Sequence, residues 1–508
     1  MVRNILHCAL RCGAFEKHIS LEPFKERVSN ENAVAASSVV KNASGLFMLR
    51  VTDTETRLVV LSRHTATLEP FRGEPVSETQ AGIAYYALDC PADHHNAVAI
   101  RAALPWTGPR PIEARRSFGC GDRIGGMSPA TPWHIEACSR YGISPALAQQ
   151  SVRENHKTGR TFESVLDDAT WSVLETGYRE PWGADADHLK TMEEIEASVR
   201  TGYTLFTLDP SDMIDYAADT DTDDVLRGKL GKLFPKEKDI DEFIGRYEGR
   251  EGADSRSIVR SCVKFIPAVR HAAKAYHLIA DLKGQESFNF EMSIDETSTP
   301  TTPLDHLIIV SELMADGVEL FSLAPRFEGR FEKGIDYIGT EEGFRRSLER
   351  HAELSRELGN YRLSLHSGSD KFSVYPLFGE LTDGFFHVKT AGTSFIEAMK
   401  VVARADFEFF REILGLAIET FEENAASYDI SGSVSRVPDP SGLTTDTAVA
   451  EITGNNDMRQ ALHIAFGRIV TAHGDRLRPL LRKHRGDYRA YLTQHIGRHL
   501  ALLTGESG

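Results

Sequence analysis

Four ionisable side chains lie within six residues in the segment Asp185-Ala-Asp187-His188-Leu-Lys190. On a strand, alternation places Asp185 and Asp187 on the same side. Charges gathered at a strand end are costly unless they serve a metal, a substrate or one another. The alternative is that Asp187 caps the next helix and its neighbours are solvated. We favour the functional interpretation.

Glu291 interrupts the apolar, strand-like run Phe288-Asn-Phe-Glu-Met-Ser-Ile-Asp295-Glu-Thr. A carboxylate inside a buried strand requires a cation nearby, either a metal ion or a basic side chain. We therefore interpret Glu291 as a metal ligand or a general base. The alternative is a buried Glu–Arg pair.

Two further segments carry basic residues where apolar runs become polar. His366 precedes a Gly/Ser loop that suits a sugar or a carboxylate, and His387 shares a strand face with Lys389. Lys389 could bind an anion, stabilise an oxyanion or form a Schiff base. Together with Glu291 and one member of the Asp187-His188 pair, His366 would make a carboxylate–imidazole site suited to zinc, manganese or a related divalent ion.

The segment Phe118-Gly-Cys-Gly-Asp122-Arg123-Ile-Gly125 places glycines around an acid and a base. It resembles a phosphate-binding loop but lacks the companion residues of a dinucleotide or P-loop motif. Alternatively, the glycines allow a sharp turn, and the guanidinium of Arg123 holds a substrate carboxylate at two points. We prefer this second interpretation.

These residues require elements that bring them together. From about residue 113, short apolar runs alternate with long amphipathic helical segments, as in a parallel sheet covered by helices. Eight such units predict a (β/α)₈ barrel of the TIM type, with the polar strand ends at its mouth. The predicted strands are RRSFGCGDRIG, the run entering WGADADHLK, YTLFTLDPSD, FNFEMSIDET, GVELFSLAPRF, YRLSLHSGSD, FFHVKTAGTS and SYDISGSVS.

The same patterns divide the chain into three parts. Residues 1–113 are predicted to be a β-rich region containing GLFMLRV, RLVVLSR, AGIAYYAL and NAVAIRAAL as strands. Residues 114–440 form the predicted catalytic barrel, with a charged helical insertion at 211–255 that is either a lid or a surface excursion. Residues 441–508 are a helical extension, interpreted as a packing or homo-oligomerisation element.

Composition excludes several classes of protein. Asp and Glu outnumber Lys and Arg by 74 to 58, giving a net charge of −16, so nucleic acid and anionic membranes are not expected partners. No apolar run approaches the ~20 residues that span a bilayer. Six scattered cysteines without a CxxC pair predict neither a disulfide scaffold nor a zinc ribbon. We therefore expect a cytoplasmic enzyme.

The motifs FGCGDRIG, WGADADHLKT, FEMSIDET, LHSGSDKFSVYP and HVKTAGTSF resemble, in this order, those of the tagaturonate epimerase family, from about residue 115 to residue 435. The resemblance implies a metal-dependent isomerase of hexuronate catabolism that interconverts D-tagaturonate and D-fructuronate. These keto-uronates differ at the carbon β to the ketone, which simple enolisation cannot invert. Because no Rossmann fingerprint is present, we expect retro-aldol cleavage and re-addition rather than transient oxidation by a nicotinamide.

The resemblance and the residues together give a predicted site, with zinc as the preferred ion and manganese or nickel as alternatives. Arg123, Lys371 or Lys389 would hold the substrate carboxylate. Two other readings remain: a lyase or ketose isomerase that uses Lys389 or Lys190 as a Schiff base, and a sugar-acid sensor without turnover. The predicted residues are, as metal ligands, His188, Glu291 and His366; as catalytic residues, Asp187, Lys190, Asp295 and Lys389; and as substrate-binding residues, Asp122, Arg123, Ser367, Asp370, Lys371 and His387.

Overall fold

The computed structural model describes residues 1–126 and 130–506. Its first part is an antiparallel sheet in the order β1-β2-β3-β5-β4, accompanied by three helices. NAVAIRAAL, predicted as a strand, lies in helix α3, whose first turn is capped by the side chain of Asp93. The elements are α1 Val2–Arg11, α2 Glu22–Asn32, β1 Val40–Lys41, β2 Leu46–Val51, β3 Thr56–Ser62, β4 Glu74–Gln80, β5 Ile83–Pro91 and α3 His94–Ala103.

The second part is a mixed α/β unit built on a parallel sheet. Within the described residues this sheet has nine strands, in the order β7-β6-β14-β13-β12-β11-β10-β9-β8. Every strand pair in it is parallel. The strands are β6 Arg116–Cys120, β7 Ser144–Ala146, β8 Gln150–Ser151, β9 Asp185–Leu189, β10 Leu205–Leu208, β11 Asn289–Ser293, β12 Ser322–Ala324, β13 Arg362–Leu365 and β14 Phe386–Thr390.

Seven of the eight predicted strands are found in this sheet, and the eighth is wrong. The segment SYDISGSVS contains no strand. The short strands β7 and β8 were not predicted from the sequence. They are the first and the last strand in the order of this sheet. Beside them, the Gly183 amide donates to the carbonyl of Pro145 and the Leu147 amide donates to the carbonyl of Gly183, both at 2.9 Å.

Helices cover the sheet and continue to the C-terminus. The segment 211–255 contains α8, α9 and short 3₁₀ turns. None of the described helices is both long and apolar enough to cross a membrane. The helices are α4 Ala130–Arg140, α5 Val152–Thr158, α6 Phe162–Thr176, α7 Met192–Thr201, α8 Asp223–Leu233, α9 Glu237–Tyr247, α10 Ser255–Lys283, α11 Pro303–Ala315, α12 Glu341–Glu357, α13 Tyr375–Leu381, α14 Thr393–Ala405, α15 Phe407–Glu419, α16 Phe421–Ala425, α17 Thr445–Gly454, α18 Asn456–Ile464, α19 Phe466–Lys483 and α20 Arg485–Thr504.

Local sequence explains why polar residues collect where these strands end. Strand β14 is buried along its length, and β9 and β11 are buried except for the half-buried His188 and Asn289. After β9, Thr191 and Glu194 form a capping box that begins α7, and Thr302 and Asp305 do the same for α11. These caps begin the helices that follow the two strands. Because the strands are parallel, their carboxyl ends meet at one edge.

Candidate active site

Lys389 of β14 is the centre of a buried ionic cluster. Its Nζ lies 2.7 Å from Oδ2 of Asp185, 2.8 Å from Oδ1 of Asp187 and 2.9 Å from Oε1 of Glu291. It also donates a hydrogen bond to Thr207. Burial disfavours the ammonium, but the three carboxylates outweigh it and raise the pKa of Lys389. Lys389 is therefore a protonated cation that holds together three carboxylates, two from β9 and one from β11.

The three carboxylates in contact with Lys389 do not have the same protonation properties. Burial raises the pKa of Asp185 to about 6 in spite of Lys389. For Asp187, burial is outweighed by His188 and Lys389, and its pKa is lowered. For Glu291, the effect of burial is outweighed by Lys389 and His366, and the pKa of Glu291 is lowered as well. Two of the three carboxylates are thus held firmly in the ionised form.

His366 links this cluster to a second group of possible ligands. Its Nε2 lies 2.6 Å from Oε1 of Glu291, and its Nδ1 lies 3.1 Å from Oδ1 of Asp295. Burial alone would lower the pKa of the imidazole, but Asp295 and Glu291 raise the pKa of His366 to about 10. Asp295 also accepts a hydrogen bond from Ser293. Both ring nitrogens of His366 are therefore oriented by carboxylates.

Two imidazoles and one carboxylate come together in a second cluster, the two-histidine group, which consists of His188, Asp295 and His366. One ligand atom from each residue lies within 4.8 Å of the others, and the two rings are 5.1 Å apart between centroids. His188 has a φ of +54°, a left-handed conformation that is strained for a residue with a side chain. This donor set fits a divalent transition metal such as zinc. Glu291, predicted as a ligand, lies on the opposite side of His366 from Asp295 and is not part of the group.

The cluster opens into a cleft formed by two adjoining cavities. The larger cavity has a volume of about 480 Å³ and is lined by Asp295 and His366. The smaller cavity, of about 40 Å³, is lined by Asp187, His188 and Lys389 as well as His366. The residues that line both cavities are Arg153, Lys333, His366, Ser367 and Tyr428. A small polar molecule in this cleft would touch both the ionic cluster and the two-histidine group.

The structure brings Asp187, His188, Glu291, Asp295, His366 and Lys389 together and places Ser367 at the cleft, but it does not bring Lys190 there. The Nζ of Lys190 lies outside both cavities, 3.0 Å from Oδ1 of Asp212 and 2.9 Å from Oγ of Ser211. Although burial opposes it, Asp212 and Asp209 raise the pKa of Lys190. This position does not fit the catalytic role predicted for Lys190, because its ammonium group is held by residues of the connection after β10 and does not line the cleft.

The two polar residues of the glycine turn have protein partners. Asp122 accepts hydrogen bonds from the amides of Ile124 and Gly125, at 3.0 and 3.3 Å, and so stabilises its own turn. Arg123 lines the smaller cavity, but its Nε donates to Glu154 at 2.8 Å. The structural turn weighed for this segment therefore describes Asp122 better than the predicted contact with substrate. Arg123 reaches the cleft as one half of a buried ion pair.

Asp370 and Lys371 are buried in the loop after β13 and do not line the cleft. Asp370 pairs with Arg459 at 2.8 Å and with His495. The Nζ of Lys371 donates to the carbonyls of Glu332, Ile335 and Ser369, and burial lowers its pKa to about 7. Their predicted contact with substrate does not fit this geometry, because protein atoms already satisfy both side chains.

His387 is also buried below the cleft, although it shares a strand face with Lys389 as predicted. Its Nδ1 is 2.8 Å from Oγ of Ser117, and its ring meets that of Phe321 edge-on. Burial lowers the pKa of His387 to about 3, so the ring is neutral. His387 lies one pleat deeper than Lys389 and is not among the residues that line either cavity.

Sequence reasoning missed the basic and aromatic residues that form the cleft wall. Arg153, at the start of α5, pairs with Glu296 at 3.3 Å, and its guanidinium carbon lies 5.4 Å from the ring centre of Tyr428. Arg326 and Lys333 belong to the long connection between β12 and α12. Arg326 and Tyr428 lie inside segments predicted as strands, GVELFSLAPRF and SYDISGSVS, but neither was singled out. For Arg153 and Lys333, the available signal was their position in connections at the carboxyl edge of the sheet.

A parallel α/β sheet with a buried ionic cluster and an open cleft at its carboxyl edge defines an enzyme site for a small polar substrate. A model of the tagaturonate epimerase family matches residues 35–503. The tagaturonate/fructuronate epimerase of Thermotoga maritima is 40% identical over 422 residues, covering 82% of this chain and 86% of that protein. The chain belongs to the tagaturonate epimerase family, as its motifs predicted, and is an isomerase-type carbohydrate epimerase.

Solved structures agree with this assignment. A glycerol-complexed crystal structure of the fructuronate-tagaturonate epimerase UxaE from Cohnella laeviribosi is 32% identical, with a TM-score of 0.86, and covers 94% of this chain and 98% of that one. The native structure of the same enzyme also gives a TM-score of 0.86 and covers 97% of this chain and 99% of that one. The similarity therefore includes the N-terminal sheet and the C-terminal helices as well as the parallel sheet.

Proposed function

We propose that this protein interconverts D-tagaturonate and D-fructuronate in the cleft beside Lys389, by breaking and re-forming one carbon–carbon bond. The observation that carries the proposal is the direct contact between two groups of side chains. One is the ionic cluster of Lys389, Asp187 and Glu291, and the other is the group of His188, Asp295 and His366. The ionic cluster can accept and return a proton, and the group of two histidines and Asp295 is suited to a divalent ion.

The metal ion would be held by His188, His366 and Asp295. Zinc accepts two imidazoles and a carboxylate and leaves a position open for substrate, and manganese or nickel are alternatives. A bound ion of this kind supplies a Lewis acid that polarises a ketone oxygen. Glu291 would then act on the ligand rather than on the metal, because its 2.6 Å contact with Nε2 of His366 fixes the orientation of the ring.

The substrate's own chemistry defines the steps. Asp187 lines the cleft in the ionised form and accepts the proton of the β-hydroxyl group. The bond between the α- and β-carbons breaks, its electron pair remains with the ketone fragment as an enediolate, and the β-carbon becomes an aldehyde. Rotation presents the other face of the aldehyde. Re-addition restores the bond with inverted configuration, and the proton returns to the new hydroxyl oxygen.

Lys389 supports this route better than it supports a Schiff base. A lysine must lose its proton before it can attack a carbonyl. Three carboxylates within 2.9 Å keep Lys389 protonated and raise its pKa. Its ammonium group instead helps to keep Asp187 and Glu291 in the ionised form beside the cleft. Lys190, the other lysine considered for a Schiff base, points away from the cleft.

We extend the proposal to the architecture. The hydrogen bonds of Gly183 with Pro145 and Leu147 bridge the gap beside β7 and β8, and they support closure of the sheet into a (β/α)₈ barrel whose second strand is interrupted.

Three further points remain predictions: the divisions 1–113, 114–440 and 441–508, a homo-oligomeric state and a cytoplasmic location. Six cysteines without disulfide bonds are consistent with a reducing compartment.

The proposed function is tested by NMR of D-tagaturonate incubated with purified protein, together with metal analysis. We expect D-fructuronate to appear until equilibrium is reached, a bound divalent ion near one per chain, and loss of activity with a chelator that the ion restores. Persistence of activity after complete metal removal would contradict metal dependence. Borohydride inactivation in the presence of substrate would favour the Schiff-base alternative.

A further inference from the structure

We propose that Lys333 and Arg326 form the binding site for the substrate's carboxylate group, an inference that rests on the proposed function. Both side chains line the larger cavity, and Lys333 also lines the smaller one. Neither residue was identified from the sequence: Arg326 lies two residues beyond the end of β12, inside a segment predicted as a strand, and Lys333 lies further along the connection between β12 and α12. The site would make the enzyme specific for sugar acids over neutral ketoses.

Lys333 and Arg326 each have an uncharged hydrogen-bond partner. The Nζ of Lys333 donates to Oγ of Ser367 at 2.7 Å, and Arg326 donates to the carbonyl of Thr297. Both partners are neutral oxygen atoms. Among residues 1–126 and 130–506, no carboxylate lies within ion-pair distance of either side chain. The two cations therefore carry uncompensated positive charge into the cavity.

The acidic residues of the larger cavity already have partners. Asp295 is one of the three residues that would hold the metal ion, and Glu296 lies 3.3 Å from the guanidinium of Arg153. The third acidic residue lining the cavity, Asp429, pairs at 2.8 Å with Arg330. A dissolved anion would thus meet two available cations and no unpaired carboxylate there.

The three residues predicted from the sequence to hold the substrate carboxylate are all occupied by protein partners. Arg123 is paired with Glu154, whose side chain is buried. The ammonium group of Lys371 has no N–H left for a ligand, because three backbone carbonyls accept its hydrogen bonds. Lys389 is surrounded by three carboxylates of the protein, and a fourth from the substrate would be repelled. Among the described residues, the side chains of Lys333 and Arg326 each donate to one neutral oxygen only, so both keep further N–H groups for an anion.

The position of Lys333 also suits the reaction. Ser367, which accepts the hydrogen bond from Lys333, follows His366 directly and has a φ of +49°. Lys333 therefore lies beside the two-histidine group. Cleavage between the α- and β-carbons leaves the carboxylate on the aldehyde fragment. A cation holding that carboxylate would retain the fragment while the bond next to the aldehyde carbon rotates. The predicted role is therefore to bind the substrate and to prevent escape of the cleaved aldehyde.

The test compares Lys333→Met and Arg326→Met with the wild-type holoenzyme. For Lys333→Met we expect a 10- to 100-fold increase in KM for tagaturonate, the value of one charge-assisted contact, with unchanged metal content. Inhibition by D-glycerate, an anionic analogue of the aldehyde fragment, should weaken by a similar factor, while inhibition by glycerol should not change. Free dihydroxyacetone, the released ketone fragment, should accumulate in the variant, and Lys333→Arg should restore most of the affinity.

The matched control is Lys157→Met. Lys157 contacts Tyr428 and Ser427 at 3.1 Å from behind the cleft wall but lines neither cavity. We expect its KM and its inhibition by D-glycerate to equal those of the wild type. Unchanged KM and D-glycerate inhibition in both Lys333→Met and Arg326→Met would overturn the carboxylate site. Failure of the wild type to interconvert the two uronates would instead refute the proposed function.

Discussion

Replacement of Lys389 by Met should destabilise the protein as well as inactivate it. The change removes the cation that contacts Asp185, Asp187 and Glu291 at 2.7–2.9 Å and leaves their charges buried together. Removing one partner of a buried ion pair costs about 3–5 kcal/mol. We therefore expect urea denaturation to give a free energy of unfolding lower by about this amount, with loss of epimerase activity.

A double-mutant cycle shows whether the loss comes from the unpaired carboxylates. Asp185→Asn removes one of the three charges, so it should cost less in the Lys389→Met background than in the wild type, with a coupling energy of about 1–3 kcal/mol. Lys400→Met is the matched control: Lys400 is a buried lysine that pairs with Glu397 and not with Asp185, so its replacement should show no coupling to Asp185→Asn. Additive effects of Lys389→Met and Asp185→Asn, or an equal coupling energy for Lys400→Met, would refute this reasoning.

Two further predictions concern metal binding and pH. Asp295→Asn should lose the metal, whereas Glu291→Gln should weaken affinity only about 10- to 100-fold, because Glu291 contacts a ligand rather than the ion; equal losses in a metal titration would contradict this. Burial lowers the pKa of His134 to about 3, while the unfolded chain takes up its proton near pH 6.5. Stability should fall below about pH 6.5, by about 1.4 kcal/mol per pH unit for this group, and His134→Leu should reduce the slope between pH 6 and 5 by that amount. An unchanged slope would exclude this contribution.

Residues at the ends of buried strands could be predicted from the sequence. Asp187, His188, Glu291 and Lys389 interrupt short apolar runs, and burial makes such interruptions costly. Parallel strands place their carboxyl ends together, so the convergence of these side chains follows from the fold class. The structure brings these side chains together with His366, and their catalytic and metal-binding roles stay predictions.

The same reasoning could not separate the side chains that face the cleft from those that turn away. Lys190 and Lys371 look equivalent to Lys389 in sequence, yet one pairs with Asp212 and the other with backbone carbonyls. Alternation assigns a strand face but does not show how deep a residue lies, as His387 illustrates. The residues of the cleft wall, including Lys333, come from connections whose paths depend on packing over the whole chain. The strand prediction failed at SYDISGSVS for a different reason: a short polar run has no hydrophobic period that identifies a strand.

The most direct test of the proposed reaction uses tagaturonate deuterated at the β-carbon, incubated with the metal-loaded wild-type enzyme. In cleavage and re-addition the hydrogen on that carbon stays in place, since only the carbon–carbon bond breaks and the hydroxyl proton moves. We predict little primary isotope effect, full retention of deuterium in fructuronate, and no deuterium at that position when unlabelled substrate reacts in D₂O. A large primary isotope effect together with a bound nicotinamide would contradict the account and assign the inversion to hydride transfer.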